Sequence, residues 1–251
     1  MILKDLHVHT NYCDGKDSPR DIVLAAVDMG LETLGFSGHS YTDFDESYCM
    51  SMEGVKAYKE EIKALKEEFA GRIEILCGIE QDMFSREDTS DFDYVIGSAH
   101  YIYFENEFIT VDWKPEILKD AADKYFCGDM LCLAEYYYDT VAGVAERTDC
   151  DIVGHLDLIT KFNETDNLID TQNPRYIAAW KKAVDRIMRK CTLFEINTGA
   201  ISRGYRTGPY PSLDIIDYIK EKGGRFILSS DSHSKDTLCF CFDEYEHLIT
   251  D

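Results

Sequence analysis

The chain has 251 residues and sets 48 acidic side chains against 26 basic ones, a formal net charge of −22. That charge repels a nucleic-acid backbone and an anionic membrane surface, so a small molecule is the expected partner. The length suits one α/β barrel domain over 1–251, no apolar run approaches the roughly 20 residues that cross a bilayer, and nine scattered cysteines behind no secretory segment point to a reduced cytoplasm.

The first predicted strand runs from Ile2 to Val8. Alternate residues of an extended segment share a face, so in Asp5-Leu6-His7-Val8-His9-Thr10 the imidazoles of His7 and His9 point one way and Val8 the other. Ser18-Pro19-Arg20-Asp21 then supplies an N-cap, a first-turn proline and a first-turn acid, and Gly30 is placed to end that helix. A second strand, Glu32 to Ser37, precedes a helix from Glu53 to Phe69, whose Val55, Tyr58, Ile62, Leu65 and Phe69 recur at helical spacing before Gly71. Strands over Arg72 to Ile79 and Tyr94 to Ser98 follow. The stretch Lys114 to Thr148 predicts two helices, the first begun by Pro115 and the pair parted near Gly128-Asp129. Asp151 to Gly154, Leu193 to Asn197 and Arg225 to Ser230 complete the strands, with helices over Pro174 to Arg189 and Ser212 to Lys222, the latter stopped by Gly223-Gly224.

These strands are short, rich in Ile, Leu, Val and Phe, and lack polar alternation, as do strands buried on both faces of a parallel sheet. Their alternation with helices implies right-handed crossovers and a closing sheet, a distorted, TIM-barrel-like (βα)7 barrel. In such barrels the active site lies at the C-terminal ends of the strands.

Polar residues collect at those ends. They are His7 and His9, His39 in Ser37-Gly38-His39, Glu80 in Gly78-Ile79-Glu80, His100 in Ser98-Ala99-His100, His155 in Gly154-His155-Leu156-Asp157, Asn197, and Asp231 with His233 in Ser230-Asp231-Ser232-His233. Six of the seven histidines fall there; His247, in a charged tail, reads as a surface residue. A ring of imidazole and carboxylate donors is the chemistry of a multinuclear metal site. Asp14, in Cys13-Asp14-Gly15, reads equally as a turn residue or a ligand. Asp157 reads as structural or as a partner of a ligand. Cys239 and Cys241 have a spacing that could bind a soft metal, but no second pair accompanies them.

The series His7-x-His9, Gly38-His39, Gly78-x-Glu80, Ser98-x-His100, Gly154-His155 and Ser230-Asp231-x-His233 resembles the polymerase-and-histidinol-phosphatase (PHP) family of metal-dependent phosphoesterases over residues 5 to 233. The stretches His155-Leu156-Asp157-Leu158-Ile159 and Glu195-Ile196-Asn197-Thr198 are similar to its histidinol-phosphate phosphatase branch. The resemblance implies two to three divalent ions, zinc, manganese or iron. It assigns His7, His9, Glu80 and Asp231 to a first site, Glu80, His100 and His155 to a second, and Asp14, His39 and His233 to a third, with Glu80 bridging the first two. Relatives often carry a histidine where Asp14 stands.

The implied activity is hydrolysis of a phosphate monoester, L-histidinol phosphate, with Glu80, Asp231 and Arg203 as catalytic residues. Arg203 follows the Asn-Thr motif at the spacing of a relative's phosphate-binding arginine; Arg206 and Lys161 are further candidates for the phosphate. Asp43 and Asp45, in Tyr41-Thr42-Asp43-Phe44-Asp45-Glu46, are candidates for a cationic head group. A metal-dependent amidohydrolase would instead carry a bridging lysine on strand four and no ligand ending strand three. A non-catalytic metal-stabilised module would fit a chain with a second domain, which this sequence lacks.

Overall fold

A computed structural model describes residues 4–249; Ile2 and Leu3 of the first predicted strand lie outside the described residues. Seven strands lie in one parallel sheet, in the order the chain makes them. They are β1 (Lys4–Asp5), β2 (Thr33–Phe36), β3 (Glu74–Asp82), β4 (Tyr94–Ser98), β7 (Ile152–Val153), β8 (Leu193–Asn197) and β9 (Arg225–Ser229). The sheet curls into a nearly closed barrel. Between its two edges, His9 N donates to Ser232 O at 2.8 Å and Ser232 N to His7 O at 3.1 Å.

The helices form where the capping signals put them. The Ser18 hydroxyl accepts from Asp21 N at the start of α1 (Pro19–Met29), and Gly30 closes that helix in the left-handed region at φ 79°. In α2 (Met52–Glu68), Val55, Tyr58, Ile62 and Leu65 face the core. The 114–148 stretch holds three helices rather than two: α3 (Pro115–Tyr125), α4 (Met130–Val141) and a short α5 (Val144–Thr148) begun after Gly143. Four-residue helices α6 (Asn163–Asp166), α8 (Gly199–Ser202) and α10 (Phe242–Tyr245) punctuate the later loops, and α7 (Pro174–Ile187) and α9 (Leu213–Glu221) are the last long crossovers.

Three departures from the sequence reading matter for the site. Strand β3 runs three residues past Ile79, carrying Glu80 and Asp82 on a ladder with β4. No helix joins β3 to β4; residues 83–93 are a loop turned by Ser85, Asp88 and Asp82 through side-chain to backbone bonds. An unpredicted antiparallel hairpin, β5 (Tyr101–Phe104) and β6 (Glu107–Thr110), rises directly after His100, its two-residue turn made by Glu105 and Asn106 at positive φ.

Inside the barrel, the lower half is apolar. Leu6, Tyr94, Ile96 and Ile152 form a cluster joined by Leu76, Leu193 and Ile227. The Tyr94 ring crosses this space and donates to Leu6 O at 2.6 Å and Phe36 O at 3.0 Å. It needs Gly78, because a Cβ there would lie 2.3 Å from the ring. The glycine of the Gly78-x-Glu80 motif therefore seats the tyrosine two residues below Glu80.

Candidate metal centre

Each strand that closes the barrel delivers a polar side chain to its upper end. Val8 packs in the main core while His7 and His9, on the opposite face, are fully buried at the centre. The chain turns sharply after β9, with Asp231 in the left-handed region at φ 49°, a conformation that Asp tolerates better than most residues. That turn lets Asp231 and His233 face the same point.

Glu80 is the hub. His155 Nε2 lies 2.9 Å from its Oε1 and His100 Nε2 3.4 Å; His39 Nδ1, His7 Nε2 and His9 Nε2 lie 2.9, 3.4 and 3.6 Å from its Oε2. Asp231 Oδ1 is 3.3 Å from His9 Nε2 and 3.8 Å from His7 Nε2. Asp14 Oδ2 is 3.1 Å from His233 Nε2, and its Oδ1 is 3.6 Å from His39 Nε2 and 3.9 Å from His9 Nδ1. Three groups bring their ligand atoms within 4.8 Å of one another: His7, His9 and Glu80; His39, Glu80 and His100; and His9, Asp14, His39 and His233. Seven of the nine ligand candidates from the sequence fall in these groups, and His155 and Asp231 join through their contacts with Glu80 and with His9, although His9 and His39 are shared between groups that the family arrangement keeps apart. Exposed His247 is not among them.

Two carboxylates that the sequence reading left without a role stand behind the ring. Glu195 Oε2 meets His7 Nδ1 at 2.7 Å, and its Oε1 accepts from His155 N and from Asn197 Nδ2. Asp82 Oδ2 meets His100 Nδ1 at 3.1 Å. Each is placed to accept from Nδ1–H, with Nε2 directed at Glu80, the arrangement by which a carboxylate fixes the tautomer of a metal-binding imidazole. The one local signal is at Glu195, an acid inside the apolar run Leu193-Phe194-Glu195-Ile196; Asp82, after Glu80-Gln81, has no such signal.

The electrostatics set buried carboxylates against buried imidazoles. Buried His7 Nε2, His9 Nε2 and Glu80 Oε2 make no hydrogen bond, and a buried group left so costs about 1–3 kcal/mol. Burial opposes ionisation of Glu80, yet His39, His100 and His7 hold it well below the carboxylate range. Burial likewise opposes charge on His7, while Glu195, Glu80 and Asp231 raise it well above an ordinary imidazole. His9, by contrast, is lowered to about 3 by burial and by the neighbouring His233 and His39. Imidazole and carboxylate donors of this kind, converging on one buried point, fit divalent metal ions, which displace the imidazole protons on binding.

The phosphate candidates differ in freedom. Arg203 reaches the ring: its Nη2 lies 2.9 Å from Asp231 Oδ2 and its Nη1 2.9 Å from His233 Nδ1, with 29 % of its side chain exposed. Gly199 permits this approach, since a Cβ there would sit 2.8 Å from Asp231 Oδ2 and 2.9 Å from Arg203 Nη2. Arg206 is occupied instead by Thr160 Oγ1 at 2.9 Å, by Asp157, and by the Tyr210 ring beneath it. Lys161 donates to Asp112 O at 2.7 Å and pairs with its carboxylate. In the 41–48 loop, Asp45 accepts from Tyr101 OH at 2.7 Å and from Ser47, while Asp43 lines a separate outer cavity. Each of the nine cysteines is free, and no metal-binding group among the described residues includes one. No described helix is long and apolar enough to cross a membrane.

Comparison with known proteins agrees with this geometry. A protein of Deinococcus radiodurans named "Probable histidinol-phosphatase" is 30% identical over 99% of this chain and 93% of its own length. The histidinol-phosphatase of Bacillus subtilis is 23% identical over 98% of each. A crystal structure of histidinol phosphate phosphatase from Lactococcus lactis, complexed with zinc, L-histidinol and phosphate, shares the fold with a TM-score of 0.72 over 98% of this chain and 92% of that one, at 24% identity. The PHP domain family matches residues 5–199, so the chain belongs to the PHP domain family.

Proposed function

We propose that this chain is a histidinol-phosphatase, a metal-dependent phosphomonoesterase that hydrolyses L-histidinol phosphate to L-histidinol and phosphate in histidine biosynthesis. The observation that carries the reading is one buried carboxylate, Glu80, within 3.6 Å of five imidazoles in a chain whose near full-length relatives are histidinol-phosphatases. Glu80 with His7, His9 and Asp231 on one side, and with His100 and His155 on the other, would hold two ions; Asp14, His39 and His233 would hold a third. Zinc, manganese and iron all suit this mixed set. When bound, such ions acidify a water and polarise phosphoryl oxygens.

The rest falls to the chain. Glu195 and Asp82 hold the Nδ1 protons of His7 and His100, so that both rings keep one orientation through turnover. Arg203, anchored by Asp231 yet partly exposed, is placed to meet a phosphoryl oxygen with a charge-assisted bond. Arg206 and Lys161 support the wall around it through Thr160 and Asp112. Asp14 and His233 are the most exposed of the ring, 35 % and 22 % by side chain, and mark the side from which a phosphate ester enters.

The test is a panel of phosphate esters at equal metal loading. L-histidinol phosphate is expected to give the highest kcat/KM. A higher value for an unrelated monoester or a diester would overturn the substrate, and metal binding without any turnover would overturn the enzyme.

A further inference from the structure

One region outside the metal centre gathers charges of both signs and exposed rings around a single space. About half of the arginines and lysines meet acids, as in Arg20–Glu68, Arg175–Glu135, Arg186–Glu146 and Lys182–Asp139. At a cavity of about 430 Å³ between the 41–48 loop, the β5–β6 hairpin and the start of the 83–93 loop, they do not. Arg86, Arg147 and Asp43 all line it. Among the described residues, neither the Arg86 nor the Asp43 side chain has a hydrogen bond or ion pair, and Arg147 has only a 3.4 Å contact to Ser85 O. Charges of both signs thus face one space and stand too far apart to pair across it.

The remaining walls are aromatic. Phe44 stacks on Phe108 at 3.7 Å, and Phe84 meets Phe108 edge-on at 5.3 Å. Tyr103 and Phe108 keep 40% and 38% of their surface exposed, unusual for large rings in this structure. None of the convergent histidines, nor Glu80, lines the cavity. A row of rings nevertheless joins the two places: Phe44 to Tyr101 at 4.9 Å, Tyr101 to Tyr48 at 6.1 Å, and Tyr48 to His39 at 4.8 Å.

We propose that this cavity binds a free amino acid with a planar side chain, its carboxylate at Arg86 and Arg147, its ammonium at Asp43 and its ring against Phe84, Phe108 and Tyr103. Two arginines suit a carboxylate because their planar forks match its two oxygens. A lone anion would leave Asp43 facing it, and a lone cation would leave two arginines unmatched; a zwitterion satisfies both signs at once. The aromatic walls select a flat side chain over a branched or polar one. Because Asp43 and Phe44 belong to the loop that carries Tyr48 against His39, occupancy holds that loop in one position beside the metal centre.

Calorimetric titration of the metal-loaded enzyme, with inorganic phosphate and L-histidinol saturating the metal centre, tests this. L-Histidine and L-phenylalanine are expected to bind one per chain. Phenylalaninol, without the carboxylate, and 3-phenylpropionate, without the ammonium, are expected to bind at least ~10-fold more weakly. Arg86→Ala and Arg147→Ala should each weaken L-phenylalanine by a similar factor while leaving kcat/KM for the phosphate ester unchanged when no amino acid is present. Four results would overturn the proposal: no binding at millimolar amino acid, equal binding of all four ligands, binding indifferent to both arginines, or binding abolished by L-histidinol and phosphate, which would make the cavity part of the catalytic site. The ester turnover measured on the same samples reports separately on the phosphatase reading.

Discussion

The barrel has two storeys, and they solve opposite problems with the same strands. In the lower one, Tyr94 fills the lumen among Leu76, Ile96, Ile152, Leu193 and Ile227, and its hydroxyl satisfies two carbonyls. In the upper one, two to four residues further along, the inward positions become Glu80, Ser98, Glu195 and Ser229, and several buried nitrogens and oxygens have no hydrogen-bonding partner. The lower storey is complete as folded. The upper one gathers buried imidazoles and carboxylates with unpartnered atoms around one point, the donor set of a metal site, held in place by the packing beneath them.

Substitutions should separate the two. The largest effect on turnover is expected from Glu80→Gln, since an amide cannot balance two cations: kcat/KM should fall on the order of 1000-fold and metal content should drop, with the fold retained. Normal turnover at full metal loading would remove Glu80 from the bridge. Gly78→Ala strikes the lower storey, where the new methyl meets the Tyr94 ring; a loss of more than about 3 kcal/mol of stability is expected, read as a lower Tm or insoluble protein. A Gly78→Ala chain that melts like the parent would show that the tyrosine does not plug the barrel.

The difference between the storeys also governs what the sequence could reveal. Helix ends were legible because capping is local: Ser18 and Pro19 act on the first turn and Gly30 on the last, each within a few residues of its partners. The ligand histidines were legible because each closes an apolar strand, often after a glycine. Glu195 and Asp82 were not assigned, because their role is a contact across the barrel, to His7 from 188 residues away in the case of Glu195. The hairpin after His100 was missed for a different reason. Its turn, Glu105-Asn106, lacks the glycine that usually announces such a turn, and tertiary packing of Phe104 against Phe126 and Tyr136 overrides that weak signal. Nor could spacing show that Arg206 is held by Thr160 while Arg203 is held by Asp231 and His233 with 29 % of its side chain exposed.

Smaller effects refine the upper storey. Arg203→Ala should raise KM and lower kcat, about 2–4 kcal/mol in kcat/KM, with fold and metal content little changed. If Arg206→Ala did this and Arg203→Ala did not, the phosphate contact would belong to the other arginine. Glu195→Gln keeps the shape behind His7 but loses the charge, and metal affinity should fall by roughly 10–100-fold, measured by competition with a chelator. Unchanged affinity would leave Glu195 a structural partner of His155 N and Asn197 alone.

The most direct measurement is reconstitution. Protein stripped with a chelator is titrated with zinc, manganese or iron while bound metal, Tm and turnover of L-histidinol phosphate are followed together. A cation that completes the upper storey binds the folded chain and not the unfolded one, so Tm and kcat should rise in parallel and level off at two to three ions per chain. Full turnover with less than one ion per chain, or metal loading that raises neither Tm nor kcat, would contradict the account.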